Sequence, residues 1–169
     1  MPIFVRRAIE SDAASLLAHR QSLMDETSFM LYEPGELQKT SDQERERIVR
    51  LNARATSVVL IAVDDRSIVG NLTAVGGEVR RLRHSATLAL GVSRSHWGLG
   101  IGRQLLAEVI AWSERANLTR LELTVHTTNL RAINLYLSSG FEVEGVRRES
   151  LLLDEAYVDE YSMSRLSHA

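Results

Sequence analysis

The segment from Ala86 to Thr127 constrains the fold more than any other part of the chain. Ala86 to Val92 is an apolar run of strand length, and Ser93 to Gly100 is a glycine-rich turn. A long helix follows from about Gly100 to Ala116, with Ile101, Leu105, Val109 and Trp112 in one stripe. Leu121 to Thr127 is a second strand. Two strands bridged by a helix lie parallel in one sheet, because the crossover returns the chain in the same direction.

The flanking segments add antiparallel strands to that unit. Ile3 to Ala8 reads as a short strand, and Ser11 or Asp12 caps a helix to about Met24 carrying Leu16, Leu17 and Met24 on one side. Asp25 to Thr40, with Pro34-Gly35, reads as a loop. Ser41 with Glu44 reads as a capping box opening a charged helix to about Arg54. Ser57–Val63 and Ile68–Val75 form a hairpin, and Gly76-Gly77 leads through Arg80, Arg81 and Arg83 to the central unit. Asn129 to Ser139 is a helix stopped by Gly140. Val146–Leu153 and Tyr157–Leu166 are strands joined at Asp154-Glu155-Ala156. The order β-α-α-β-β-β-α-β-α-β-β predicts an α/β (α+β) chain with one mixed sheet and helices on both faces.

Composition narrows the chemistry. At 169 residues, with few prolines and glycines and no linker, residues 1–169 are expected to form a single domain. The absence of cysteine excludes a disulfide framework, thiolate catalysis and thiolate-bound metal. His19, His84, His96, His126 and His168 are too scattered to predict a metal site. A net charge of −2 carries no whole-chain basic field, so no nucleic-acid partner is expected. No apolar stretch reaches the length of a membrane span and Met1–Glu10 does not read as a signal peptide, so no membrane partner and a cytoplasmic location are expected.

Two stretches carry the functional signal. In Val92-Ser93-Arg94-Ser95-His96-Trp97-Gly98-Leu99-Gly100-Ile101-Gly102-Arg103 a helix opens directly from a glycine-rich turn. Free N–H groups and the positive end of the helix dipole suit a phosphate there, and glycines let it approach the backbone. The other reading is that the glycines only allow tight packing. The dinucleotide GxGxxG, the P-loop and the GxSxG elbow are all absent from this stretch. The second stretch runs from Leu121 to Tyr136. Asn129 and Tyr136, seven residues apart on one helix, are about 20° from alignment. They are either an amide and a phenol on a functional face, or an N-cap and a core-edge aromatic.

Together the two stretches resemble the GNAT superfamily of acetyl-CoA-dependent N-acetyltransferases. The first family signature reads here as Trp97-Gly98-Leu99-Gly100-Ile101-Gly102, with Trp97 in place of the usual Arg or Gln. The second reads as Asn129-Leu130-Arg131-Ala132 through Leu135-Tyr136, then Gly140-Phe141. The resemblance implies a mostly antiparallel sheet of six to seven strands with about four helices, splayed between the two parallel strands. It implies acetyl-CoA as acyl donor, its pantetheine arm lying in the splay against the backbone of Leu90 and Val92. The pyrophosphate then rests on N–H groups of Trp97, Gly98, Gly100, Ile101, Gly102 and Arg103. Asn129 contacts the pantetheine side and Tyr136 faces the sulfur as general acid, with the Val92 N–H as a donor to the oxyanion. A homodimer through the sheet edge is a further implied expectation.

The acceptor is less determined. Many relatives carry a glutamate in the strand before the glycine turn, and Ala86-Thr87-Leu88-Ala89-Leu90 has none. Glu26 and Glu33, in the loop bordering the acceptor pocket of the family, are the candidates near the substrate for the general base; a water chain is the alternative. His126 either faces the cleft or is a surface histidine, and Asp159 and Glu160 are expected as solvated hairpin charges. The Arg80–Arg83 run reads as a solvated loop. The expected acceptor is a primary amine on a small molecule such as an amino acid or polyamine. An N-terminal acetyltransferase of a peptide or ribosomal protein, or a non-catalytic acyl-CoA-binding module, is the alternative.

Overall fold

A computed structural model describes residues 2–168. In chain order the elements are β1 (Phe4–Arg7), α1 (Ala13–Glu26), α2 (Ser41–Asn52), β2 (Val58–Asp64), β3 (Ser67–Gly76), β4 (Ser85–Val92), α3 (Ile101–Arg115), β5 (Arg120–His126), α4 (Leu130–Ser138), β6 (Glu142–Leu153) and β7 (Ala156–Leu166). The strands form one seven-stranded sheet in the order β1-β2-β3-β4-β5-β7-β6. Every pairing is antiparallel except β4 with β5. The mixed sheet and four helices agree with the expected fold.

The sheet separates two apolar layers, and β2 makes the division visible. Val58, Leu60 and Ala62 join the core under α3, with Leu105, Val109 and Trp112. Val59, Ile61 and Val63 join the opposite core with Leu16, Ile48 and Leu51 of α1 and α2. Alternate side chains of a strand point to opposite faces, so a strand covered on both sides reads as an unbroken apolar run. Full burial of each such side chain contributes about 1.5–3 kcal/mol.

Three local expectations are corrected. The cap of α2 is Thr40, whose Oγ1 accepts from the Gln43 N–H while Gln43 Oε1 accepts from the Thr40 N–H. Ser41 is the first helical residue, and Glu44 points inward, where it is 2% exposed. Strand β6 starts at Glu142 rather than Val146, because irregularities at Val143/Gly145 and Arg147/Leu151 shift the register and hide the period of two. Glu160 is buried instead of solvated and pairs with Arg147 at 3.2 Å. The β6–β7 turn places Asp154 and Glu155 at φ 47° and 64°, the two left-handed positions of a two-residue hairpin loop.

The cap assignment has a direct test in urea denaturation. Thr40→Ala is expected to cost about 1 kcal/mol, whereas Ser41→Ala changes stability by less than about 0.5 kcal/mol. Equal losses would return the cap to Ser41.

Candidate active site

The site begins where two parallel strands part. β4 and β5 pair at Ser85↔Arg120, Ala86↔Leu121 and Thr87↔Glu122, and the pairing stops there. Each strand then stays with its outer partner, β4 with β3 as far as Gly70↔Val92 and β5 with β7 as far as His126↔Glu160. The Gly77 N–H donates to Ser85 O and the Ser93 N–H to Val69 O, which sets the parity of the β3–β4 ladder. In an antiparallel pair only alternate residues bond across. The backbone of Ser85, Thr87, Ala89, Gly91 and Ser93 therefore faces β3, and that of Leu88, Leu90 and Val92 faces the fork. The Leu90 and Val92 groups named from the sequence thus lie along an unpaired strand edge.

The mouth of the fork is the start of α3. Gly98 and Gly100 sit at φ 81° and 80°, which a residue with a Cβ adopts only under strain. No side chain caps the helix, so the first-turn N–H groups of Ile101, Gly102 and Arg103 have no intrahelical partner. Gly102 has a second purpose: a Cβ there would lie 2.7 Å from Leu135 Cδ2, so α3 and α4 approach closely at this point. Both readings of the glycines, open backbone and tight packing, are realised at different positions. Ile101 directs its side chain into the core, 1% exposed, and Arg103 is exposed.

Trp97 is tied to the sheet. Its Nε1–H donates to Val92 O at 2.8 Å, so that carbonyl has a partner while the Val92 N–H stays directed at the fork. The guanidinium groups of Arg131 and Arg94 lie 4.7 Å and 5.8 Å from its ring centroid. Stacking on the indole holds two positive charges beside the open helix start. Glu26 also closes on this loop: its Oε2 accepts the Arg94 N–H at 2.5 Å. Glu33 is exposed in a turn where its N–H donates to Glu36 Oε2.

α4 opens directly after β5. Asn129 caps it, its Oδ1 accepting from the Ala132 N–H at 3.2 Å, which leaves the Nδ2 donors uncommitted. Tyr136 is 6% exposed and tilts against Phe141 with centroids 5.9 Å apart. Burial pushes its phenol up to about 12, because the phenolate would be the desolvated charge.

The α1–α2 face of the fork is polar and partly open. Thr87 and Ala89 are exposed. Glu122 lies beside Thr87, its Oε1 3.4 Å from Thr87 Oγ1. His126 is buried, not a surface histidine, and meets Phe29 edge-on at 5.4 Å. These two rings, with Ser28, Thr128, Tyr157 and Asp159 among others, line a cavity of ≈ 290 Å³.

Two groups escaped the sequence reading. Glu44 accepts from Arg20 Nη1 at 2.7 Å and Arg47 Nη1 at 2.9 Å, and Arg47 Nη2 donates to Thr73 Oγ1 at 2.9 Å. A charged helix ordinarily reads as a solvated face, so only the spacing of Glu44 with the apolar Ile48 and Leu51 pointed inward. His19 is the other: 6% exposed, with Nδ1 3.3 Å from Ser93 Oγ and Nε2 enclosed without a partner. Burial lowers it to about 4, against the opposing charge of Glu26.

The comparisons with known proteins agree with this geometry. The profile of the acetyltransferase (GNAT) family matches residues 20–141. The chain is 33% identical over 118 residues to the L-amino acid N-acetyltransferase AaaT of Escherichia coli (strain K12), covering 69% of this chain and 73% of that protein. It is 40% identical over 76 residues to the N-alpha-acetyltransferase RimI of Mycobacterium tuberculosis (strain ATCC 25618 / H37Rv), 45% of each chain. The crystal structure of a GNAT-family acetyltransferase from Streptococcus pneumoniae superposes with a TM-score of 0.94 at 28% identity, covering 98% of this chain and 99% of that one. Among the described residues, no helix is long and apolar enough to cross a membrane.

The buried histidine makes stability depend on pH. With His19 lowered from 6.5 to about 4 in the folded state, the unfolded chain binds the extra proton between those values. Stability is therefore complete above pH 6.5 and falls by about 3 kcal/mol on acidification to pH 4. A series of urea midpoints across that window is expected to show the loss, and His19→Gln to flatten it. Glu144, held near 2 by Arg120 and Ser164 against an ordinary 4.5, adds its own loss only as the pH falls below about 4.5, at the acid end of that window.

Proposed function

Because this chain belongs to the acetyltransferase (GNAT) family and is an acyl-CoA-dependent N-acetyltransferase, we propose that it acetylates the primary amine of a small molecule, an amino acid or a polyamine, with acetyl-CoA as donor. Residues 1–169 act as one N-acetyltransferase domain. The observation that carries the reading is the fork: an unpaired strand edge beside an uncapped, glycine-lined helix start.

In this reading Leu90 and Val92 line the acyl-donor arm, the Leu90 backbone bonding the pantetheine amides as a neighbouring strand would and the Val92 N–H meeting the thioester oxygen. The pyrophosphate sits on the N–H groups of Trp97, Gly98, Gly100, Ile101, Gly102 and Arg103. The charges of Arg94 and Arg131, stacked on Trp97, favour an anion there. The Asn129 amide donors face the pantetheine side. Glu26 and Glu33 border the loop through which the acceptor arrives. Glu26 accepts the Arg94 N–H and so also supports the loop.

The free amine attacks the thioester carbonyl, and a C–N bond forms as the oxyanion is met by the Val92 N–H. The C–S bond then breaks, the nitrogen loses a proton, and the sulfur gains one, so the reaction closes on acetamide and thiol. Tyr136, held near 12, keeps its proton at neutral pH, the form an acid requires. An ordinary thiol has a pKa of about 8.5, so complete transfer from the phenol is uphill. Its contribution is largest as a hydrogen bond to the sulfur while the C–S bond is breaking.

A second reading is N-terminal acetylation of a peptide. It is favoured by the similarity to the RimI N-alpha-acetyltransferase over 45% of the chain. Thiol release from acetyl-CoA with pooled amino acids, polyamines and N-terminal peptides separates the two. Small amines outpacing peptides supports the first, the reverse supports the second, and binding of acetyl-CoA with no release leaves a non-catalytic module. Tyr136→Phe is expected to lower kcat by roughly 10²- to 10⁴-fold. Calorimetry should find its acetyl-CoA affinity near that of the unaltered protein, and unchanged turnover would remove Tyr136 from the reaction.

A further inference from the structure

The face of β4 opposite α3 is a narrow polar strip with unbalanced charge on each side. On one side, Arg20 and Arg47 share the single carboxylate of Glu44, whose side chain is 1% exposed. Two guanidinium groups against one carboxylate leave a positive charge in excess. Arg47 spends one N–H on Glu44 and one on Thr73, and a guanidinium has five to give. Its pKa falls below the ordinary arginine value, chiefly through burial and then through the like charge of Arg20. A half-buried cation left short of compensation is a place prepared for an anion.

The other side carries the opposite excess. Arg120 bonds Glu122 at 2.7 Å and both oxygens of Glu144 at 2.8 and 2.6 Å, so two carboxylates face one guanidinium. Thr73 and Thr87 mark the two edges. Thr73 lies opposite Ala89 across β3–β4, and Thr87 lies opposite Glu122 across β4–β5. Thr87 and Ala89 point to the same face and are both exposed.

We infer that this strip is the acceptor subsite and that it takes an α-amino acid as the zwitterion, with Arg47 receiving the α-carboxylate and the Glu122 side drawing the amine to the fork. This rests on the small-amine reading given above and names its substrate class. A polyamine would set a second cation against Arg47, and a peptide N-terminus carries no α-carboxylate.

The test compares two acceptors in the full-length protein: an equimolar mixture of L-amino acids, and the same mixture as α-carboxamides, each followed by thiol release at subsaturating concentration. The amides have the less basic amine and so begin with more of the reactive free base. The expected result is a preference for the acids of roughly 10- to 100-fold, which is what a charge-assisted hydrogen bond confers. Arg47→Gln should collapse that ratio toward one, and Arg47→Lys, which keeps the charge without the fork, should restore part of it. Amides equal to or faster than acids in the unaltered protein would overturn the inference while leaving the small-amine reading intact; this arm needs no variant to fold. A preference that survives Arg47→Gln would overturn the assignment to Arg47. Release with N-terminal peptides and with neither mixture would overturn both this inference and the small-amine reading.

Discussion

The backbone of Leu90 and Val92 has no strand to bond to, and the rest of the site is arranged around that fact. A backbone amide taken out of water needs a partner. Here the sheet withholds it, because β4 remains with β3 and β5 with β7 after their own pairing ends at Thr87↔Glu122. An extended ligand bearing amides completes the edge as another strand would. The pantetheine arm of the acyl donor of this family is such a ligand.

What surrounds the edge gives the ligand direction. Gly98 and Gly100 turn the chain so that the first N–H groups of α3 open outward, and Trp97 fastens the turn to the end of β4. Arg94 and Arg131 bring positive charge to that end, and Tyr136 is a buried, neutral phenol packed against Phe141. The opposite face of β4 is built on different terms. It is polar and exposed, and it lies between an excess of guanidinium at Arg20 and Arg47 and an excess of carboxylate at Glu122 and Glu144. The edge and the exposed face of one strand are thus separate environments, and the proposed reading gives one to each reactant.

The parts legible in the sequence were those governed by neighbours along the chain. The α3 stripe of Ile101, Leu105, Val109 and Trp112 follows from a period of 3.6, and the crossover through that helix requires the parallel pair. The Asn129 cap and the Gly140 stop are local as well. Local rules failed where a competing partner was one residue or many residues away. Thr40 and Ser41 are both competent caps, and backbone entry geometry chose the first. Glu160 and Glu44 look like surface charges until Arg147, Arg20 and Arg47 are brought to them.

The sequence alone therefore determined the order of elements, the mixed sheet, the glycine-lined helix start and the Asn129 cap. Each depends on periodicity or dihedral preference within about ten residues, which chain order already contains. Tertiary structure alone decided how far β4 and β5 run together before parting, which backbone groups are left facing the fork, and which charges end unbalanced beside it. Those depend on contacts such as Arg20–Glu44, Arg47–Thr73 and Phe29–His126. Such pairs are separated widely in sequence and meet only when burial brings them into a medium where an unpaired charge or amide is costly.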